Sequence, residues 1–324
     1  MQRRHVVGLG ALSMAAPWGA LHAQQPRKVR FGVDQFILGS QVWIAREKGF
    51  FGRNQVDPEI TPFATGVDTL DAVLTERLDI GLGLDFGTVP RLQTGQLKLI
   101  ATIAEPFPGF HKLAVRKPIA RAEDLAGKRI GFARGTAQNL VTLKYIQNAA
   151  KLPLSAVTLV PLGSLLELVA ALRADRIDAA FVWGDGTNQV TQIPEVTILG
   201  DDTPANMRQF AFLTTRKRFA QTQGPAIEAT LQSLIEATDW MAANPDEAAS
   251  IVAAKSRAPV EYVKRLIPPQ NYIVALKQEH LMGLQSIAAF AAEQGITKTA
   301  VDPKAQFDAS FLRRVAPARV TMVL

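Results

Sequence analysis

From residue 29 onward, short apolar runs alternate with longer stretches in which apolar residues recur every three or four positions. The short runs predict buried strands and the longer stretches predict amphipathic helices, an alternation typical of βα units. The predicted strands of the first series are 29–33, 60–63, 80–84 and 97–104, and the predicted helices are 39–48, one beginning after Gly66, and 87–93. This order favours a largely parallel sheet with helices on its faces.

A second series of the same kind begins near Pro118. Its predicted strands are 129–132, 157–162 and 179–183, and its predicted helices are 136–150 and one beginning after Ser164. Ser164 and Glu167 have the spacing of a capping box, which marks a helix start. After a further strand at 210–214 the pattern becomes mainly helical, with apolar faces around 227–238 and 281–288. Two α/β series therefore precede a helical tail.

These series predict an α/β protein of two lobes, each a mostly parallel sheet flanked by helices, with a helical C-terminal tail. If the tail packs back on the first lobe, the chain crosses between the lobes twice, near 113–115 and 211–213. We therefore assign 27–114 and 212–324 to a discontinuous lobe I and 115–211 to lobe II. Two crossing strands form a hinge that permits the lobes to close on a ligand in the cleft between them.

The first two dozen residues have the three-part pattern of an export signal. Arg3 and Arg4 form a basic start, residues 6–20 are mostly apolar, and small residues end the segment at Ala23. We expect residues 1–23 to be a signal peptide and the remaining chain to lie outside the cytoplasm. The alternative is a buried N-terminal helix, which the glycines and proline of the apolar stretch disfavour. The arginine pair leaves the general secretory and twin-arginine routes open.

Composition then removes several classes of function. The chain has 324 residues, is 48% hydrophobic and contains no cysteine, which excludes disulfides, thiol nucleophiles and cysteine-ligated metals. The net charge is +7, but the basic residues are scattered, so we do not expect nucleic-acid binding. Phosphate-loop, nucleophile-elbow and zinc-protease motifs are absent, and only His111 and His280 follow the signal. We therefore predict no catalytic residue, no cofactor and no metal.

Polar or glycine-containing turns follow four predicted strands and precede helices. These turns contribute the candidate binding residues Gln35, Gly39, Ser40, Thr65, Gly66, Asp85, Gly135 and Thr136. The first amides of a helix have no intrahelical partner and its dipole is positive there, so converging turns favour an anionic ligand. The alternative is that such residues only cap their helices, as any βα turn requires.

A tryptophan and several carboxylates complete the candidate site. Trp183 ends a predicted strand before Gly184 and Asp185, so its ring forms either an apolar wall of the cleft or part of the core. Asp34, Asp85 and Asp185 also stand at strand ends. They would repel an anion unless they accept hydrogen bonds from backbone amides, and they would pair directly with a cation or an N–H-rich ligand.

Five segments carry a family resemblance: 45–51 (AREKGFF), 77–81 (RLDIG), 124–131 (DLAGKRIG), 134–136 (RGT) and 176–183 (RIDAAFVW). In order and spacing they resemble the solute-binding proteins of sulfonate, nitrate and taurine ABC importers, whose domain is shared with thiamine-precursor-binding proteins. The resemblance is strongest over 29–199. It implies the two-lobed type II fold of periplasmic binding proteins, a ligand held between the lobes, and delivery to a membrane permease.

The resemblance also implies particular ligand contacts. They are Gln35, Thr65, Gly66, Asp85, Phe86, Gly135, Thr136, Gln138, Asn139 and Trp183. Sulfonate-binding members often have Asp-Pro after this tryptophan, whereas this chain has Gly184 and Asp185. That departure concerns the identity of the ligand more than the fold. The related thiamine-pyrimidine synthases depend on a cysteine-rich iron site, which a chain without cysteine cannot build.

The leading hypothesis is a monomeric periplasmic binding protein that captures a small, sulfonate-like organic acid and delivers it to an ABC permease in the inner membrane. Helix N-termini and polar side chains would supply hydrogen bonds, and Phe86 and Trp183 apolar contact. A second hypothesis reverses the ligand charge, with Asp34, Asp85 and Asp185 holding an aminopyrimidine or another cation. A third is a cysteine-free enzyme acting on a pyrimidine or a small acid.

Overall fold

The computed structural model describes residues 25–35 and 37–324. Its strands are β1 (Arg27–Asp34), β2 (Val56–Phe63), β3 (Ile80–Leu84), β4 (Leu97–Ala104), β5 (Lys112–Arg116), β6 (Arg129–Ala133), β7 (Thr158–Leu162), β8 (Ala179–Val182), β9 (Val196–Asp201), β10 (Ala211–Arg216) and β11 (Tyr272–Ala275). Its α-helices are α1 (Ser40–Glu47), α2 (Phe50–Arg53), α3 (Gly66–Leu74), α4 (Asp85–Leu92), α5 (Ala137–Asn148), α6 (Leu165–Arg173), α7 (Asp185–Thr191), α8 (Lys217–Thr222), α9 (Gly224–Ala243), α10 (Pro245–Ser256), α11 (Val260–Leu266), α12 (Gln278–Glu293) and α13 (Ser310–Val315). The predicted signal peptide, residues 1–23, lies outside the described residues.

The strands form two sheets with helices packed on them, which confirms the predicted α/β class. The first sheet has the order β11-β4-β10-β3-β1-β2, and the second has the order β7-β6-β8-β5-β9. In each sheet one strand is flanked by two parallel neighbours: β1 by β2 and β3, and β6 by β7 and β8. Each predicted strand is present, although β2 begins four residues earlier than the pattern indicated.

Both sheets are mixed, whereas the sequence pattern indicated mostly parallel strands. β10 is antiparallel to β3 and β4, and β5 is antiparallel to β8 and β9. β5 and β10 enter their sheets directly from a crossing between the sheets, without the crossover helix that parallel pairing requires. The pattern did not reveal β9 and β11. β9 is partly exposed and contains polar residues, and the apolar run of β11 is only four residues long within the helical tail.

The chain passes between the sheets twice, through 105–111 and 202–210, which we call the crossing segments. The predicted lobe boundary between residues 114 and 115 falls within β5, whose pairing partners both belong to the second sheet. The helical tail packs on the first sheet: Gln41 of α1 donates to Thr238 of α9 at 2.7 Å, and apolar residues of α9 and α12 share the core with β1. Within the described ranges, no helix is long and apolar enough to cross a membrane.

The same arginine–aspartate arrangement, which we call a strand clamp, occurs in both sheets. Arg30 donates to the Asp79 carboxylate from its backbone N, Nε and Nη2 at 2.9, 3.1 and 2.7 Å. Arg129 donates to Asp178 from the same three atoms at 2.7, 3.1 and 2.7 Å. Each aspartate immediately precedes the strand, β3 or β8, that pairs in parallel with the strand of the arginine. The clamp therefore sets the register of the parallel strands.

A left-handed turn completes each clamp. Glu76 has a φ of 64° and Asp175 a φ of 52°, and their carbonyl oxygens accept from Nη1 of Arg30 and Arg129 at 2.8 and 2.7 Å. The segments RLD at 77–79 and RID at 176–178 follow these turns. Two of the segments that carried the family resemblance therefore hold the scaffold together.

The second clamp allows a test of its contribution to stability. We expect Asp178→Asn to lower the free energy of unfolding by about 1–3 kcal/mol near neutral pH, because charge-assisted hydrogen bonds to Arg129 are lost. The hydrogen bond from Arg129 holds the pKa of Asp178 below its usual range. The stabilisation is therefore present above the unfolded-state pKa of about 4 and disappears as the pH falls through the folded-state value. Urea unfolding at several pH values measures this.

The matched control is Asp175→Asn. The Asp175 side chain is 61% exposed and its carboxylate also contacts Arg129, at 2.9 Å. An exposed ion pair contributes less than about 1 kcal/mol, so we expect a small effect. Equal losses in the two variants would contradict the clamp.

Candidate ligand-binding cleft

A cavity of about 70 Å³, which we call the cleft, lies between the two sheets beyond the carboxyl ends of their parallel strands. Ligands of open α/β sheets bind at this end because the loops and helix starts that follow the strands gather there. The elements that line the cleft are the ends of β1 and β3, the N-termini of α3 and α5, the first crossing segment, and the residue after β8.

The N-terminus of α3 presents backbone amides to the cleft. Thr65 and Asp68 form a capping box: the Asp68 amide donates to Thr65 Oγ1 at 3.3 Å and the Thr65 amide donates to Asp68 Oδ2 at 3.2 Å. Gly66 and Val67 lie between these residues and line the cleft. Their amides are among the first of the helix, which have no intrahelical acceptor, and the box leaves them available.

The N-terminus of α5 presents a second pair of amides from the other sheet. Gly135, with a φ of 72°, turns the chain from β6 into α5. The Thr136 hydroxyl donates back to the Ala133 carbonyl at 2.8 Å, so it does not cap the helix. The amides of Ala137 and Gln138 therefore lack an intrahelical partner, and both residues line the cleft. Two helix N-termini, one from each sheet, meet at one cavity.

Gly87 allows the two sheets to approach at this cavity. It lies on α4 and lines the cleft, and a Cβ atom built on it would stand 2.9 Å from the carbonyl oxygen of Gly135. A real side chain would force the turn before α5 away from α4. The width of the cleft therefore depends on a residue without a side chain.

Aromatic rings form another wall. The Trp183 ring meets the His111 ring edge to face with centroids 5.9 Å apart, and Phe110 meets His111 similarly at 4.9 Å. His111 Nδ1 lies 2.8 Å from Asp202 Oδ2, and the amides of Gly109 and His111 also donate to this carboxylate. Because Asp202 belongs to the second crossing segment, the pair joins both crossing segments to the wall of the cleft.

Five of the predicted contact residues line the cleft, namely Thr65, Gly66, Thr136, Gln138 and Trp183. Gln138 is only 1% exposed, and its amide group bonds within the fold: Oε1 accepts from Ala133 N at 2.8 Å and Nε2 donates to Phe181 O at 3.1 Å. Its neighbour Asn139 accepts from the Gly135 amide at 3.2 Å. These two side chains shape the turn, and their contact with a ligand remains a prediction.

Gln35, Gly39 and Ser40 lie beside the cleft, and none of them lines it. Gln35 is exposed, whereas Gly39 and Ser40 are buried at the start of α1. The Ser40 hydroxyl donates to the Ile37 carbonyl at 2.5 Å and lies 3.0 Å from the Tyr272 hydroxyl, which donates to it. Ser40 therefore connects this turn to β11.

Asp85 and Phe86 are 0% exposed and lie within the fold. The Asp85 carboxylate accepts from the amides of Phe86 at 2.7 Å and Phe210 at 2.8 Å, and the Asp85 amide donates to the Phe210 carbonyl at 2.9 Å. Burial raises the pKa of Asp85 to about 7, although the backbone hydrogen bonds oppose the rise. In this arrangement Asp85 joins the end of β3 to the start of β10 and does not border the cleft.

A second cavity, of about 200 Å³, adjoins the cleft, and we call it the side pocket. Phe110 and Trp183 line both cavities, and the opposite wall comes from the end of α10, from α11 and from the residues between them. Asp185 lines the side pocket, where its carboxylate accepts from Asn188 Nδ2 at 3.3 Å and Gln189 Nε2 at 2.8 Å.

Phe110, His111 and Gly87 are the main residues of the cleft that sequence reasoning missed. The first two follow a strand in the segment EPFPGFH at 105–111, where prolines and a glycine indicate a loop and aromatic residues stand beside a histidine. Aromatic residues and a histidine in a loop after a strand could have indicated these two residues as part of the binding site. Nothing in the local pattern distinguishes Gly87 from a glycine in any helix start.

One cluster has the composition of a metal site but is organised as an ion-pair network. Glu105, Glu279 and His280 lie close together outside the cleft. Glu105 Oε1 accepts from Lys277 Nζ at 2.7 Å and lies 2.7 Å from His280 Nε2, while the Lys277 amide donates to His280 Nδ1 at 3.0 Å. Burial alone would raise the pKa of Glu105, but the hydrogen bonds from Lys277 and His280 hold it below its usual value. With these contacts, the residues do not fit a metal ion.

Comparison with known proteins identifies the fold and the family. The two-sheet fold is that of periplasmic binding proteins. The chain belongs to the NMT1/THI5-like family, whose model matches residues 40–248, and the predicted family resemblance is thereby confirmed. A comparison with curated proteins gave no match.

Three solved structures show how widely the fold is used. The alkanesulfonate-binding protein SsuA from Xanthomonas axonopodis pv. citri, bound to MOPS, is 19% identical with a TM-score of 0.76, over 89% of this chain and 100% of that chain. The periplasmic aliphatic sulphonate binding protein SsuA from Escherichia coli is 19% identical with a TM-score of 0.74, over 87% and 92%. The desulfurization enzyme DszB is 16% identical with a TM-score of 0.69, over 90% and 99%. Binding proteins and an enzyme therefore share this fold.

The buried Asp85 gives a second test. We expect Asp85→Asn to lower the free energy of unfolding by about 1–3 kcal/mol at about pH 4, because the side-chain NH2 cannot accept from a backbone amide. The folded pKa of Asp85 is about 7, above the unfolded value of 3.8. The folded state therefore binds more protons between these values, and the stability that Asp85 contributes falls as the pH rises through this window.

The measurement is urea unfolding of both proteins from about pH 4 to about pH 8. We expect the stability advantage of the parent protein to shrink across this range. Asp57→Asn, at an exposed position of β2, is the control, and we expect it to keep the pH profile of the parent protein. A constant difference between the parent and the Asp85 variant would contradict the raised pKa.

Proposed function

We propose that this protein is the extracytoplasmic solute-binding component of an ABC importer, and that it captures a small organic anion with a sulfonate-like head group. In this proposal residues 1–23 direct export, and the mature monomer lies in the periplasm. The lobe built on the first sheet and the lobe built on the second, joined by the crossing segments 105–111 and 202–210, close over the ligand and present it to the permease in the inner membrane.

The observation that supports this proposal is the pair of helix N-termini at the cleft. Gly66 and Val67 begin α3, which packs on the first sheet, and Ala137 and Gln138 begin α5, which packs on the second. Each N-terminus carries about half a positive charge together with its free amides. A micromolar dissociation constant corresponds to about 8 kcal/mol. Four hydrogen bonds to a charged group, at about 1.5–3 kcal/mol each, cover that range without a charged side chain.

The solved relatives support the choice of ligand class. Two of them are described as binding alkanesulfonates or aliphatic sulfonates, and one is bound to MOPS, itself a sulfonate. DszB shows that an enzyme can be built on this fold, so turnover requires its own experiment. We expect mass spectrometry to recover the ligand unchanged after binding, because the cleft offers backbone amides and no cysteine.

Thr136 offers a direct test of the helix N-terminus. Aspartate and asparagine are both favourable N-cap residues, so Thr136→Asp and Thr136→Asn should both preserve α5. Only the aspartate places a negative charge beside the anion. We expect Thr136→Asp to weaken methanesulfonate binding by at least about tenfold, while Thr136→Asn changes it by only a few-fold. Isothermal titration calorimetry measures both. Equal affinities in the two variants would remove the support for an anion at α5.

A second candidate function is favoured by one observation. Asp34 lines the cleft at the end of β1, and Asp185 lines the side pocket. A carboxylate in the cleft matches an aminopyrimidine or another cationic ligand better than an anion. In this alternative the protein remains a binding protein, and the charge of its ligand is reversed.

Asp34→Asn distinguishes the two candidates. For an anionic ligand the loss of a negative charge should raise affinity about tenfold, whereas for a cation it should lower affinity by a similar factor. Calorimetry with taurine, methanesulfonate, nitrate and an aminopyrimidine, on the parent and the variant, gives the sign. Asp57→Asn, on the exposed face of β2, controls for the change in net charge. If the parent protein binds only the aminopyrimidine, and Asp34→Asn weakens that binding, the cation-binding alternative replaces the anion proposal.

A further inference from the structure

The side pocket is the larger of the two adjoining cavities. It has about 200 Å³, against about 70 Å³ for the cleft, and Trp183 and Phe110 line both. Small-molecule sites usually have a few hundred Å³. The cleft alone accommodates little more than a compact head group, so the rest of a larger ligand must leave the cleft, and the side pocket is the neighbouring space.

The walls of the side pocket are mostly apolar. Ile37 and Val263 are buried, and Ala258, Pro259 and Leu266 add further apolar surface. Together with the two aromatic rings they form a surface that hydrocarbon groups favour over water. Asp185 and Arg257 add one charge of each sign to the lining, so the side pocket has no net charge that would attract a second charged group.

One polar atom of the side pocket is left without a partner. The Tyr262 hydroxyl oxygen is buried and has no hydrogen-bond partner among the described residues. Burial raises the pKa of Tyr262, and the charge of Asp185 raises it further, so the hydroxyl keeps its proton and remains a donor. Buried polar groups are nearly always hydrogen-bonded to protein or to ordered water, so the acceptor for this hydroxyl is expected to be a water molecule or a ligand in the side pocket.

We propose that the side pocket holds the apolar body of the ligand and that the Tyr262 hydroxyl donates to an acceptor oxygen at the far end of that body. The ligand class is then an organic anion with a body of several carbon atoms that ends in a neutral acceptor such as an ether. This inference rests on the proposed function, because it takes the anionic head to lie at the amides of α3 and α5.

The first experiment measures how affinity depends on chain length. We expect calorimetry with methane-, butane-, hexane- and octane-1-sulfonate to show affinity rising about fourfold for each methylene that enters the side pocket. Ala258→Phe fills part of the side pocket and should flatten this dependence. Ala254→Phe makes the same change at an exposed position of α10 and should keep the dependence of the parent protein.

The second experiment tests the hydroxyl with two probes of equal length, octane-1-sulfonate and 6-methoxyhexane-1-sulfonate. Tyr262→Phe should weaken binding of the ether about fivefold, because one hydrogen bond is lost. It should leave octane-1-sulfonate unchanged or bound more tightly, since an unpaired hydroxyl is removed. If Ala258→Phe does not fold, Tyr262→Phe and the chain-length series on the parent protein together test the side-pocket proposal.

The outcomes separate this inference from the proposed function. Methanesulfonate binding with no gain along the series overturns the side-pocket proposal and leaves the binding function in place. A gain along the series with equal effects of Tyr262→Phe on both probes overturns the role of the hydroxyl. No binding of any sulfonate, with binding of an aminopyrimidine, overturns both.

Discussion

The strand clamps of Arg30 with Asp79 and of Arg129 with Asp178 join the parallel strands beyond whose carboxyl ends the cleft lies. Each clamp makes the same three hydrogen bonds at the start of a parallel strand. A slip of one residue would turn the side chains of that strand to the opposite face. Because the register is set at one end of the strands, the helix-bearing turns at the other end come level with each other. The first clamp holds β3 against β1, which pairs in turn with β2, the strand that leads into α3; the second holds β8 against β6, the strand that leads into α5.

The crossing segments are the second constraint. Within the described residues, 105–111 and 202–210 are the covalent links between the sheets, so any change in the angle between the sheets must be taken up there. Asp202 bonds one segment to the other through His111, and Glu105 bonds the first segment to Lys277 and His280. His111 also contacts the ring of Trp183. Trp183, which lines the cleft, is therefore in direct contact with the first crossing segment, about which the lobes would move.

Much of the fold was predictable because its signals are local. Apolar runs marked the parallel strands, and the Ser164 capping position marked the start of α6, where its hydroxyl accepts from the Glu167 amide. The site was predictable only in part. Thr65 and Thr136 follow strands and reach the cleft, whereas Asp85 follows a strand and is enclosed by β10. The three residues look alike in sequence. Asp85 differs from the other two because β10, more than a hundred residues away in the chain, covers it.

The sequence by itself determined the α/β class, the family, and the turns that begin α3 and α5, because hydrophobic spacing and helix capping act over a few residues. The tertiary structure alone decided which turns share a cavity, that Phe110 and His111 join them, and that Trp183 stands between the cleft and the side pocket. These facts depend on contacts between distant segments, whose geometry comes from strand register and from the packing of one sheet against the other. No local pattern of residues encodes that geometry.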